Sequence, residues 1–283
     1  MGPGLPVAKQ RERFEKICRL NLLPFGTKIK TADIGGMPAR WISNADAADD
    51  RAILYFHGGA YTIGSSHTHR SVAAYLAKTS KTKVLVIDYR LAPEYPYPAA
   101  IDDGIKAYRW LMENGFSHRK LVVAGDSAGG GLVLATLAAL RDAGIQLPAA
   151  AVCFSPWADL EGSGESYTTK RQDDPVLTPD WLHIMARHYA GENNRRLPTI
   201  SPVYADMKDF SPLLIQVGSD EILLSDSHRL AARAREAGVD VKLDVLDSMC
   251  HLWTLYAGVI PEAHQAIQDA GRFVFEHLES ERV

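Results

Sequence analysis

Apolar-rich runs of strand length and segments with helical spacing take turns along most of this chain. The short runs occupy residues 52–56, 83–87, 121–124, 149–154, 213–217 and 241–246. Between them lie helix-forming stretches at 70–78, 99–113, 128–143, 225–237 and 261–279. Alternation of this kind predicts an α/β fold, a mostly parallel sheet with helices on both faces. Residues 28–34 and 37–42, separated by Gly35-Gly36, predict an antiparallel hairpin at one edge, for about eight strands in all.

One connection breaks the rhythm. About sixty residues separate Phe154 from Leu213, where strand-to-helix links usually take ~2–6. This stretch contains its own helix signal, with Thr178 suited to the N-cap and Pro179 to the first helical position. Trp181, Leu182, Met185 and Tyr189 then recur at helical spacing. Residues 7–23 carry Phe14, Ile17, Cys18 and Leu22 at similar spacing, before the sheet begins. Two readings are open for the inserted helix: packing against the sheet, or a cap over it.

Composition narrows the class. Hydrophobic residues make up 46% of the chain, charged residues 23%, and the net charge is −3, as in an ordinary soluble globular protein. Basic residues are scattered, so no nucleic-acid partner is expected. Cys18, Cys153 and Cys250 give neither a disulfide framework nor a zinc pattern. Cys153 falls in a core-strand run, and Cys250 adjoins His251. The amino terminus lacks an apolar secretory core, and the longest apolar run, 132–140, is too short to span a bilayer. The expectation is a cytoplasmic protein with no membrane span.

The candidate chemistry sits at two strand ends. Residues 121–124 lead into Gly125-Asp126-Ser127-Ala128-Gly129, and a long helix follows. Gly-x-Ser-x-Gly between strand and helix is the pattern of a nucleophile elbow, with Ser127 at the tip of a sharp turn. The glycines two positions away are needed because helix and strand approach too closely there for a side chain. The strand at 52–56 runs into His57-Gly58-Gly59-Ala60-Tyr61, whose glycines leave backbone N–H groups free to face inward. The amides of Gly58, Gly59 and Ala128 are the expected donors to an oxyanion, and His57 is expected to brace its loop.

Four stretches together resemble the hormone-sensitive lipase branch of the α/β-hydrolases, the microbial carboxylesterases among them. They are His57-Gly58-Gly59-Ala60-Tyr61; Asp88-Tyr89-Arg90-Leu91-Ala92-Pro93-Glu94; Gly125-Asp126-Ser127-Ala128-Gly129-Gly130; and Gly218-Ser219-Asp220-Glu221 with His251 downstream. Ala60 departs from the final glycine of that family's His-Gly-Gly-Gly loop. The resemblance implies an α/β-hydrolase fold over 26–283. It also implies a helical cap assembled from residues 1–25 and an insertion at 158–205.

In this fold the nucleophile, acid and base follow one another in the order Ser, Asp or Glu, His. His228 falls in a helical, surface-type run, and His264 and His277 belong to the last helix. That leaves His251, in the loop after the last strand, as the base. For the acid, Asp220 is the expected residue, matching the aspartate of the family's Gly-x-Asp-Glu motif. Glu221 is its immediate competitor, expected to brace the loop, and Asp247 lies on the histidine's own loop. Arg90, Glu94 and Asp102 are expected to hold loops beneath the site.

The implied activity is hydrolysis of short- to medium-chain acyl esters by a Ser127–His251–Asp220 acyl-enzyme mechanism, with lactones or esters of bulky alcohols as further substrates. Tyr61, Trp181, Met185 and Leu252 are the expected substrate contacts. No metal or organic cofactor is called for: there is no His-Glu-x-x-His, no phosphate-binding Gly-x-x-x-x-Gly-Lys and no dinucleotide fingerprint. The alternatives are an amidase or deacetylase, and a catalytically silent small-molecule receptor of the same fold. Residues 241–246, as an exposed sheet edge, would suit a homodimer.

Overall fold

The computed structural model describes residues 2 and 4–279, so residues 1, 3 and 280–283, the ends of the expected first and last segments, lie outside the described residues. In chain order the elements are α1 (Val7–Cys18), β1 (Lys28–Asp33), β2 (Pro38–Ser43), β3 (Ala48–Phe56), α2 (Arg70–Ser80), β4 (Thr82–Ile87), α3 (Ala99–Glu113) and β5 (Leu121–Asp126). There follow α4 (Ala128–Asp142), β6 (Ala150–Phe154), α5 (Ser166–Thr169), α6 (Pro179–Ala190), β7 (Leu213–Gly218), α7 (Leu224–Glu236), β8 (Val241–Leu246) and α8 (Pro261–Glu279).

The eight strands form one sheet in the order β1-β2-β4-β3-β5-β6-β7-β8. Strands β3 to β8 run parallel, while β2 pairs antiparallel with β1 on one side and β4 on the other. Every residue of β5, β6 and β7 is buried, as expected of strands covered on both faces. The hairpin strand β1 is almost wholly exposed, and β8, at the opposite edge, is half-buried. Helices α2 and α8 pack on each other, as do α3 and α4, and α7 lies against β7 and β8.

The inserted helix forms as its signals predict. The Thr178 side chain accepts from the backbone N–H of Trp181 at 3.2 Å, and Pro179 opens the helix. At the amino terminus the expected helix stops at Cys18, five residues early. Arg19 and Leu20 form a tight turn, with Leu20 N–H on Ile17 O and Asn21 N–H on Cys18 O at 3.3 Å, and residues 21–23 run irregularly into Pro24, which disfavours helical geometry in Leu23. The indole N–H of Trp181 donates to Gln10 Oε1 at 2.8 Å, joining α6 to α1.

One expected brace is different. Arg90 pairs with Asp103, not Asp102, through both carboxylate oxygens at 2.9–3.1 Å. Asp102 is exposed while Asp103 faces the core side of α3. Glu94 is held by Arg11 of α1 at 2.7 and 2.8 Å.

Candidate active site

Strand β5 ends at Asp126 and α4 begins at Ala128, so Ser127 alone makes the reversal. Its φ of 54° and ψ of −122° lie where a residue with a side chain is strained. The turn is pinned to neighbouring segments: Ser127 N–H donates to Phe154 O at 2.8 Å, and its carbonyl accepts from Trp157 N–H at 2.9 Å. The flanking glycines answer to crowding. A Cβ on Gly125 would lie 2.5 Å from Gly129 O, and one on Gly129 would lie 2.0 Å from Phe56 O.

His251, on the loop after β8, reaches this turn. Its Nε2 lies 2.9 Å from Ser127 Oγ. Its Nδ1 lies 2.8 Å from Oε2 of Glu221, and both side chains are buried. Nδ1–H therefore donates to the carboxylate, which leaves Nε2 as the basic nitrogen facing the hydroxyl. Burial pulls the His251 imidazole down, but the hydrogen bond and charge of Glu221, helped by Asp174 and Asp126, outweigh it and hold its pKa above the ordinary value.

The carboxylate beside His251 belongs to Glu221, which corrects the expectation for Asp220. The Asp220 side chain turns outward, is about one-third exposed at 36%, and meets Lys170 Nζ at 3.5 Å and Ser219 Oγ at 3.1 Å. Asp247 is exposed as well. Adjacent residues on a turn project in different directions. Here Ile222 and Leu223, both fully buried, draw Glu221 inward with them. Its second oxygen, Oε1, accepts from Ser155 Oγ at 2.5 Å and from Gly218 N–H at 2.7 Å. Buried Asp174, from the long insertion, takes the Ile222 amide at 3.0 Å and the amides of Val176 and Leu177, tying the insertion to the acid loop.

The amide donors also differ from expectation by one residue. Gly58 N–H donates to Asp126 Oδ1 at 3.1 Å, beneath the elbow. It is already spent on that carboxylate, and Gly58 does not line the space above Ser127. Gly59 and Ala60 do line that space. Among the described residues no protein acceptor takes their amides or that of Ala128, the first residue of α4. The departure from glycine at position 60 is thus within the amide cradle, with φ at 51°.

Asp126 itself is the anchor under the cradle. It is buried and accepts from Tyr55 Oη at 2.7 Å, from Gly58 N–H, and from His69 Nε2 at 3.1 Å. Burial would raise its carboxyl; the charge and hydrogen bond of His69, with Tyr55 and His57, bring it below the usual range. His57 stacks on Tyr89 at 4.2 Å between centroids. Burial and nearby His69 push its imidazole down to about 4, so it stays neutral in its loop-bracing place.

A cavity of about 500 Å³ opens above Ser127 and His251, walled by Phe14 and Ile17 of α1, Leu177 and Trp181 of the insertion, and Leu252 and Trp253. Of the four expected substrate contacts, Trp181 and Leu252 line it. Tyr61 and Met185 do not: Tyr61 is stacked against Tyr189 at 3.8 Å, and Met185 Sδ accepts from Thr62 Oγ1 at 3.0 Å, both behind the wall. Phe14, Ile63 and Trp253 also line it and were not among the expected substrate contacts, since their facing depends on how α1 and the loops fold back. Among the described residues no three His, Cys, Asp or Glu side chains converge as metal ligands would.

The strand–elbow–helix, the buried Ser–His–carboxylate chain and the amide cradle define a hydrolase built on an α/β sheet. Residues 53–255 match the family described as having the alpha/beta hydrolase fold, and the chain belongs to it. It is similar to a solved esterase from the bacterial hormone-sensitive lipase family, at 42% identity and a TM-score of 0.95, covering 98% of this chain and 93% of that one. It is also similar to the esterase EstE5, whose crystal was soaked with p-nitrophenyl butyrate. There the identity is 40% and the TM-score 0.95, over 99% of this chain and 95% of the other. An acetyl-hydrolase of Streptomyces hygroscopicus is 44% identical over 241 residues, 85% of this chain and 80% of that protein. Within the family, the chain is an esterase of the hormone-sensitive lipase branch.

Proposed function

We propose that the protein cleaves carboxylic esters of short acyl chains through an acyl-enzyme on Ser127, with Glu221 in the place the sequence suggested for Asp220. Ser127 Oγ attacks the acyl carbon as His251 Nε2 takes its proton. Glu221 fixes the imidazole tautomer and stabilises the imidazolium that forms. The tetrahedral oxygen is held by the amides of Gly59, Ala60 and Ala128, each such donor being worth on the order of 10²–10³ in rate. His251 then gives its proton to the leaving alcohol, and a water repeats the sequence on the acyl-enzyme.

The observation that carries this reading is the 2.9 Å contact between Ser127 Oγ and His251 Nε2 at the floor of an apolar cavity. The likeness to an acetyl-hydrolase, and to an esterase whose crystal was soaked with p-nitrophenyl butyrate, supports acetyl to butyryl esters. In this reading α1 and the insertion act together as the cap, with the Trp181–Gln10 hydrogen bond as their seam.

Turnover of p-nitrophenyl acetate, butyrate and octanoate by wild type and Ser127→Ala tests it. Activity falling from butyrate to octanoate, and lost in the variant, is the expected result. Burst release of nitrophenol from Ser127→Ala would remove the nucleophile assignment. The unpaired edge of β8 extends the proposal to a homodimer, and light scattering that finds only monomer at micromolar concentration would remove that part.

A further inference from the structure

Ile17, Leu20, Leu22, Leu23, Phe25 and Ile29 are all exposed, Leu20 at 83% and Phe25 at 99%. Single exposed apolar residues are ordinary on a protein surface, but a contiguous group marks an interaction site. This group is contiguous with a second one after the catalytic histidine, Tyr256 and Val259. A Cβ on Gly258 would lie 3.0 Å from the Cβ of Leu22, so the two segments touch. Ile17 and Tyr256 are at once members of this surface and walls of the catalytic cavity. The apolar surface therefore meets the cavity mouth at these two residues, while Leu20 and Phe25 lie outside the cavity lining.

The segment is tied down in this outward pose. Arg19 O accepts from the Arg70 guanidinium at 3.0 Å, and Leu22 O accepts from Ser71 Oγ at 2.6 Å. Charge around it is one-sided. Residues 7–30 hold seven Lys and Arg against two Glu, a net of +5 on a chain whose total is −3. Arg13, Arg19, Lys28 and Lys30 are exposed beside the apolar group. The two carboxylates are already engaged, Glu12 by Lys9 and Lys16, Glu15 by Ser65.

We propose that this face docks on the surface of an anionic phospholipid bilayer. Exposed leucines and a phenylalanine enter the headgroup boundary, flanking cations meet the lipid phosphates, and the cavity mouth faces the apolar phase. The binding is peripheral: among the described residues no helix is long and apolar enough to cross a membrane. The inference does not depend on which ester is cleaved, because its readout is binding.

The test is sedimentation of the full chain with phosphatidylcholine vesicles, with and without phosphatidylglycerol. Wild type is expected to bind the anionic vesicles, to bind the neutral ones far less, and to be released as salt shortens the Debye length. The double variant Leu20→Ser/Phe25→Ser should lose roughly ten-fold or more in partitioning. A charge variant, Arg13→Gln/Arg19→Gln/Lys28→Gln, keeps the apolar group and should lose a similar factor on anionic vesicles only. Both should turn over p-nitrophenyl acetate in solution as wild type does, which shows that they are folded. Absence of binding to anionic vesicles, or binding that neither variant weakens, overturns the proposal. A dimer dissolved by Leu20→Ser/Phe25→Ser, with no vesicle binding, also overturns it by assigning the face to a second copy of the chain.

Discussion

Nδ1 of His251 lies 2.8 Å from Oε2 of Glu221, while Asp220, one residue earlier, holds its carboxylate out toward Lys170. Two acidic residues in sequence thus occupy opposite environments, one sealed and triply bonded, the other solvated. The difference is large enough to measure.

Glu221→Gln should lower kcat on p-nitrophenyl butyrate by on the order of 10³–10⁴, since an amide can present the wrong atom to Nδ1–H and cannot stabilise the imidazolium. Asp220→Asn should change kcat by less than about three-fold, because a partly solvated side chain that meets only Lys170 and Ser219, and not His251, contributes little. The reverse ranking would restore Asp220 as the acid.

The acid limb of the rate profile follows from the same pair. The base form of His251 must be neutral, and its pKa is held above the ordinary imidazole value by Glu221. Activity should therefore fall off on acidification at a higher pH than for a free imidazole, as His251 takes up its proton early. In Glu221→Gln the residual activity should persist to lower pH, because burial then acts without the carboxylate's charge. A limb that does not move between the two enzymes would separate the titrating group from this pair.

Asp126 should prove a structural anchor of the amide cradle. Asp126→Ala removes the acceptor of Tyr55, Gly58 and His69 at once, and should cost about 2–4 kcal/mol in urea unfolding. Tyr55→Phe, which leaves the other two bonds in place, should cost about 1 kcal/mol. A loss for Asp126→Ala no greater than that of an exposed aspartate would refute the anchor.

Strain at the elbow predicts a trade of activity against stability. Ser127→Gly and Ser127→Ala should both be inactive, but the glycine variant should be the more stable by about 1 kcal/mol, since only glycine is at ease at that φ and ψ. Equal melting temperatures would show that the turn stores no strain.

The cavity wall can be tested through chain length. Trp181→Ala opens space beside Ser127 and frees Gln10, so the ratio of kcat/KM for octanoate over butyrate should rise several-fold. An unchanged ratio would place the acyl group on the other side of the cavity.

Much of this was legible before any coordinates. The eight strands and the order of the helices follow from the alternation of apolar runs and helical periods, because a strand buried on both faces leaves almost no polar position within it. Ser127 was legible because a nucleophile elbow must have glycines on either side, and His251 because no other late histidine falls in a strand-end loop. Thr178 and Pro179 announced α6 by local capping chemistry alone.

What stayed hidden shares one cause. Choosing between Asp220 and Glu221, between the amides of Gly58 and Ala60, and between Met185 and Phe14 as cavity wall requires knowing which way a side chain or an N–H points at a turn. Local sequence sets period and turn type over a few residues. Facing within a turn is set by what packs against it: Ile222 and Leu223 pulling Glu221 inward, Asp126 claiming the Gly58 amide, α1 folding back to lay Phe14 over the serine. The elements and the order of the catalytic groups were written in the chain itself. The acid's identity and the shape of the pocket came only when distant segments met, because burial and hydrogen-bond satisfaction act through space and not along the backbone.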